Sequence, residues 1–90
     1  MSENPKYAIR NNISLTQVDD EIVLLDLSEG TYFGLNKIGA QLLRGIQKET
    51  SIQELITQIS EQYHMKSSAV ELDIIELIEQ LLENNLLIKQ

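Results

Sequence analysis

The sequence predicts an α+β fold in which a three-stranded antiparallel sheet is followed by three helices. Three observations carry this. The first third of the chain holds short aliphatic runs separated by turn residues. After Asn36 the apolar residues change from strand-like to helix-like spacing. Two Ser-x-x-Glu capping boxes, Ser51 to Glu54 and Ser68 to Glu71, then mark two further helix starts.

The elements follow in order. Residues 1–10 carry little pattern and are expected to be a flexible, frayed N-terminus, leaving 11–90 as a single domain. Ile13, Leu15 and Val18 give a weak alternation, the first strand. Asp19-Asp20 reads as a turn. Glu21 to Leu27, rich in Ile, Val and Leu, reads as the second strand. Ser28-Glu29-Gly30 supplies the next turn, and Thr31 to Leu35 the third strand. Asn36 is a good N-cap, because its side chain can accept from an unpaired amide of the first helical turn. Ile38, Leu42 and Ile46 then fall at helical spacing, with Leu43 beside them, and this helix should end near Gln47 to Glu49. Gly39, Ala40 and Gly45 allow close packing, although Gly45 weakens the helix by up to about 1 kcal/mol relative to Ala.

The second helix carries Ile52, Leu55, Ile56, Ile59 and Tyr63 on one stripe, which reads as core. His64-Met65-Lys66 is a connector. The last helix should open at the Ser68 box and run to Asn84 or Asn85, since Asn tolerates a helix end. Leu86-Leu87-Ile88 fits a final turn or a short closing strand. On the last helix Val70, Ile74, Leu77 and Leu81 form one stripe, and Ile75, Ile78 and Leu82 widen it to about 160°. Asp73, Glu76, Glu79 and Glu83 take the polar side. So wide a face exceeds what one neighbour covers: it packs on two helices, or leaves part free as a groove.

Composition narrows the function. The formal net charge is −7, concentrated in the second half, where only Lys66 and Lys89 oppose eight acidic residues between Glu49 and Glu83. Such a chain repels phosphate backbones, which argues against nucleic acid as a partner. There is no cysteine, so disulfides and thiolate metal sites are excluded. No apolar run approaches the roughly 20 residues of a membrane span, and Met1 to Lys6 lacks a signal-peptide core; a cytoplasmic protein without a membrane partner is expected. His64 is the only histidine, and no nucleophile-elbow, phosphate-loop or metal-ligand pattern accompanies it. Glu76, Glu79 and Glu83 read as a solvated face rather than a metal site. The expectation is a non-catalytic binding protein with no cofactor and no metal.

The stretch Gly30-Thr31-Tyr32-Phe33-Gly34-Leu35-Asn36 stands apart as the place where two aromatics sit together between glycines. A short aromatic strand at a sheet edge offers unpaired amides and carbonyls to an added strand. Alternation puts Tyr32 and Phe33 on opposite faces, without saying which faces a ligand.

This stretch, continued by Ile38-Gly39-Ala40 and Leu42-Leu43, resembles the PqqD-like family, the precursor-peptide recognition elements of ribosomally made peptide natural products. The resemblance runs from about Ile13 to Ile88. Within the family the chain looks most like the stand-alone leader-binding proteins of lasso-peptide biosynthesis. The resemblance implies a winged helix-turn-helix-like fold. It also implies that a precursor's leader segment adds beside the third strand and lies against the last helix, with Tyr, Pro and Leu as apolar anchors. A separate cysteine-type leader peptidase then acts on the complex, and a cyclase follows. On this chain the implied peptide-binding residues are Thr31, Tyr32, Phe33, Gly34, Leu35, Val70, Asp73, Ile74, Glu76, Leu77 and Ile78. The alternatives are a PqqD-type chaperone of another modified-peptide or quinone-cofactor pathway, and a generic helical interaction or dimerisation module. A winged-helix DNA-binding protein is disfavoured by charge. A carrier protein is disfavoured because Asp26-Leu27-Ser28 has the wrong order for a prosthetic-arm serine.

Overall fold

The computed structural model describes residues 6–90. Eight elements follow one another: β1 (Tyr7–Ile9), β2 (Ile13–Val18), β3 (Glu21–Asp26), β4 (Thr31–Leu35), α1 (Lys37–Gln47), α2 (Ile52–Gln62), α3 (Ser67–Glu83) and β5 (Leu87–Lys89). Strands β2, β3 and β4 form the expected antiparallel meander with β3 in the middle. Its register pairs Leu15 with Leu24 and Leu24 with Phe33. Alternation along β3 turns Ile22, Leu24 and Asp26 inward, all buried.

A second, two-stranded sheet pairs β1 with β5, Ala8 opposite Ile88. The sequence pattern predicts a frayed segment through Arg10. Residues 1–5 of that segment lie outside the described residues, while Tyr7–Ile9 is a strand. It forms because β5 supplies ladder partners from the far end of the chain, and no local pattern reports such a pairing. The second strand ends at Asp26 rather than Leu27, for a reason visible in the turn. The Asp26 carboxylate accepts from the Ser28 and Glu29 amides at 2.9 and 3.1 Å. Its other oxygen accepts from Arg10 Nη2 at 3.0 Å. Asp26 is only 2% exposed, so its charge is compensated at each oxygen. Arg10 also donates its Nε to the Asn85 carbonyl and its amide to the Leu86 carbonyl. One residue, through its side chain and its amide, therefore joins the turn before β4, the end of α3 and the two-stranded sheet.

The first two caps form as predicted. Asn36 accepts from the Gly39 amide and Ser51 from the Glu54 amide. The Ser68 capping box does not form. Lys66 is the N-cap of α3 and makes no side-chain cap bond. Its carbonyl already accepts from the Ala69 and Val70 amides, both at 3.1 Å, so the cap lies two residues earlier than expected and Ser68 falls inside the first turn. All three helices close with the paired bonds of a Schellman motif: Thr50 to Gly45, Met65 to Ser60 and Leu86 to Leu81 are the outer ones. The left-handed residues at these ends are Glu49, His64 and Asn85.

Helix α1 occupies the centre and packs against β1, β3, β4, α2 and α3. Leu42 and Leu43 are wholly buried in a core shared with Leu24, Leu55, Ile59, Ile74 and Leu81. Its two glycines set the approach distances. A Cβ on Gly45 would overlap the buried Leu55 side chain, and one on Gly39 would lie 3.1 Å from Leu77 Cδ2 and 3.2 Å from Leu35 Cδ2. Two longer contacts hold α1 to α2: Gln41 to Gln62 at 2.9 Å, and Lys37 Nζ 5.5 Å from the Tyr63 ring centre.

Three stability outcomes follow from this packing. Gly45→Ala should destabilise by about 1–3 kcal/mol through overpacking against Leu55, despite its better helix propensity. Asp26→Ala should cost about 2–4 kcal/mol, because it orphans two turn amides and the Arg10 guanidinium. Asp26→Asn should cost less, since it keeps an oxygen for the turn amides. Urea unfolding monitored by circular dichroism checks all three.

Candidate functional site

Strand β4 is an edge of the three-stranded sheet, so one row of its amides and carbonyls has no ladder partner. The edge opens onto a groove of about 320 Å³ between β4 and α3. Phe33 and Leu35 form one wall, Ile74 and Leu77 the other, and Ile38 and Leu42 of α1 the floor. Gly34, Asn36 and Gly39 also line it. On the α3 rim stand Asp73, Glu76 and Gln80, all exposed. Among the described residues the ion pair is Arg10–Asp26, so the rim carboxylates are not neutralised from within.

Each residue implied for peptide binding has a definite place. Phe33, Gly34, Leu35, Asp73, Ile74, Glu76 and Leu77 meet in the groove. Tyr32 does not: alternation turns it to the opposite face of the sheet, where it is 74% exposed. Thr31 sits at the start of β4, in a polar recess with Arg10, Asp26, Glu29 and Glu83. Val70 is buried in the core, away from the groove lining. Ile78 is also buried, and what it shows lines a different depression between α2 and α3. The reason is angular. At 100° per residue the inward line of α3 is Val70, Ile74, Ile78 and Leu81, which leaves Leu77 half-exposed towards β4 and Ile75 towards α2.

The groove also uses residues that the site reading omitted. Ile38, Gly39 and Leu42 come from α1, and Gln80 from one turn beyond Glu76. Their signal was present as Ile38-Gly39 just after the Asn36 cap, with Leu42 one turn on. Gly39 lets the floor rise: with no Cβ, α1 comes against both Leu35 and Leu77. Chemically, the arrangement offers a row of backbone hydrogen-bonding groups, an apolar trough and an anionic rim. His64 stands exposed at the end of α2, and among the described residues no three His, Asp or Glu side chains gather as a metal-binding group.

Residues 21–87 match the family model for coenzyme PQQ synthesis protein D (PqqD). Two solved structures superpose closely. TbiB1 in complex with the TbiA(β) leader peptide has a TM-score of 0.81 and 30% sequence identity, over 88% of this chain and 92% of that one. Lasso peptide synthetase B1 complexed with the leader peptide has a TM-score of 0.86 and 28% identity, over 92% of this chain and 98% of that one. Among curated protein sequences none matches. With its family match spanning β3, β4, all three helices and the first residue of β5, this chain belongs to the PqqD family, as a recognition element similar to lasso-peptide B1 proteins.

Proposed function

We propose that this chain binds the leader segment of a ribosomally made precursor peptide of lasso type. The leader adds as a fourth strand beside β4, lies against α3 and is presented to a separate leader peptidase. One observation carries the reading: the unpaired edge of β4 opens directly onto an apolar groove walled by α3. Two structures similar to this one are complexes with leader peptides, which supports the same class of ligand here. The chain's part is recognition rather than chemistry, exercised in the cytoplasm, with no cofactor. A sheet followed by three helices suits a winged helix-turn-helix-like arrangement in which β4 belongs to the wing. The family match by itself would also suit a PqqD-type role in a quinone-cofactor pathway. The likeness to two leader-bound lasso proteins favours the lasso assignment.

The energetics are adequate. Burying three apolar leader side chains contributes about 1.5–3 kcal/mol each. Ladder hydrogen bonds add modestly. Ordering a disordered segment costs about 2–5 kcal/mol. A dissociation constant of about micromolar or below is the expected result.

Calorimetry with the TbiA(β) leader peptide, or with a leader encoded beside this chain, tests the reading. Phe33→Ala and Leu77→Ala should each weaken binding about tenfold or more, while Tyr32→Ala on the opposite face should change it less than about twofold. No binding of either peptide, or a Tyr32→Ala loss equal to that of Phe33→Ala, contradicts it. Presentation adds a second readout: cleavage of the precursor by its peptidase should accelerate with this chain present and not with the Phe33→Ala variant.

A further inference from the structure

Helix α3 walls two grooves, not one. The second lies between α2 and α3 and measures about 370 Å³. Ile52 and Ile56 of α2 face Ile75, Ile78 and Leu82 of α3 across it. Glu71 and Glu79 stand on its α3 side, and Tyr7 and Lys89, paired across β1 and β5, also line it. Ile75 is 44% exposed, and Leu72, one turn before it, is 69% exposed. Neither belongs to the core or to the groove at β4.

Shape selects a helical occupant. The groove's aliphatic lining comes wholly from α2 and α3, with Tyr7 of β1 and Lys89 of β5 completing it. Along α3 the lining residues Glu71, Ile75, Ile78, Glu79 and Leu82 follow a single helical ridge. From Glu71 to Leu82 that ridge runs about 16 Å, or three turns. A furrow between two helices accepts a third helix by ridge-into-groove packing, with apolar anchors at i, i+3 or i+4, and i+7.

Charge selects the occupant's sign. Helix α3 carries Glu71, Asp73, Glu76, Glu79 and Glu83 and not one Lys or Arg. Asp73–Glu76, Glu76–Glu79 and Glu79–Glu83 are like-charged neighbours on the helix surface, each unfavourable. Among the described residues the ion pair is Arg10–Asp26, so none of these carboxylates is ion-paired, and Lys89 is the single cation lining the groove against Glu71 and Glu79. A cationic partner relieves them.

We infer that the α2–α3 groove docks a basic amphipathic helix of a second protein. Its apolar side chains fill the space over Ile52, Ile75 and Leu82, and its Lys or Arg residues face Glu71 and Glu79. The groove at β4 lies on a different side of α3, so both are open to occupants at once. The inference stands independently of leader binding.

The probe is a synthetic amphipathic helix with leucines on one face and lysines flanking them, titrated into the isotope-labelled full chain by NMR. Amide shifts should centre on Gln53, Ile75 and Glu79. Ile75→Glu and the double variant Glu71→Lys, Glu79→Lys should each weaken binding about tenfold, and so should a permuted peptide of equal composition with no apolar face. Leader affinity should be unchanged in Ile75→Glu, which separates this inference from the reading of the β4 groove. The inference is overturned by shifts centred on Phe33 and Leu77, by equal binding of the permuted peptide, or by undiminished binding to the variants. Absence of binding overturns it too, as does a wild-type dimer that Ile75→Glu dissolves, which would assign the face to a second copy.

Discussion

The close approach of α1 to its neighbours is the constraint on which the remaining structure rests. Gly45 lets Leu55 of α2 press against the α1 backbone, and Gly39 admits Leu35 of β4 and Leu77 of α3 together. A side chain at either position would force the layers apart by a fraction of an ångström or more, which a packed core does not absorb freely. Gly39 is also where core packing and function meet. It fixes how deep the trough between β4 and α3 can be, because Leu35 and Leu77 are walls of that trough.

Around this centre the molecule secures its loose ends with one buried charge. Asp26 closes the turn that aims β4, and Arg10 carries that anchor across to the end of α3 and the small sheet. A buried ion pair contributes little net stability, since desolvation offsets attraction. Its effect here is positional. It ties the start of β4 to the C-terminal end of α3, the two elements between which the groove opens. The edge of β4 itself bears no Lys and no Pro, devices by which sheets usually discourage added strands. An unprotected edge beside an apolar trough is a liability in a protein without a strand-like ligand, and a binding surface in one that has it.

Much of this was legible in the sequence because it is local. The meander, the Asn36 and Ser51 caps and the Asn85 helix end all depend on residues within a turn of one another. The parts that were not legible depend on distant contacts or on parity. Strand β1 exists only because β5 reaches it. Ser68 has the sequence of a cap, but the sequence does not show that the Lys66 carbonyl takes the Ala69 and Val70 amides. The facing of Tyr32 and Phe33 was hidden by the unbroken run Ile22-Val23-Leu24-Leu25, which gives no sign of which alternate residues point inward. The register Leu24 to Phe33 resolves it. Val70 and Ile78, implied as peptide-binding residues by the family resemblance, sit in the core because the apolar arc of α3 has more than one neighbour. The structure divides that arc among the core, the β4 side and the α2 side.

We propose that a peptide strand completes β4. Hydrogen exchange of the backbone amides, followed with and without bound leader peptide, tests it most directly. The account predicts new protection at alternate amides of Thr31–Leu35, the ones facing away from β3, with the other edge of the sheet, β2, unchanged. Leader binding that leaves the β4 amides as they were, or that protects β2 instead, would contradict it.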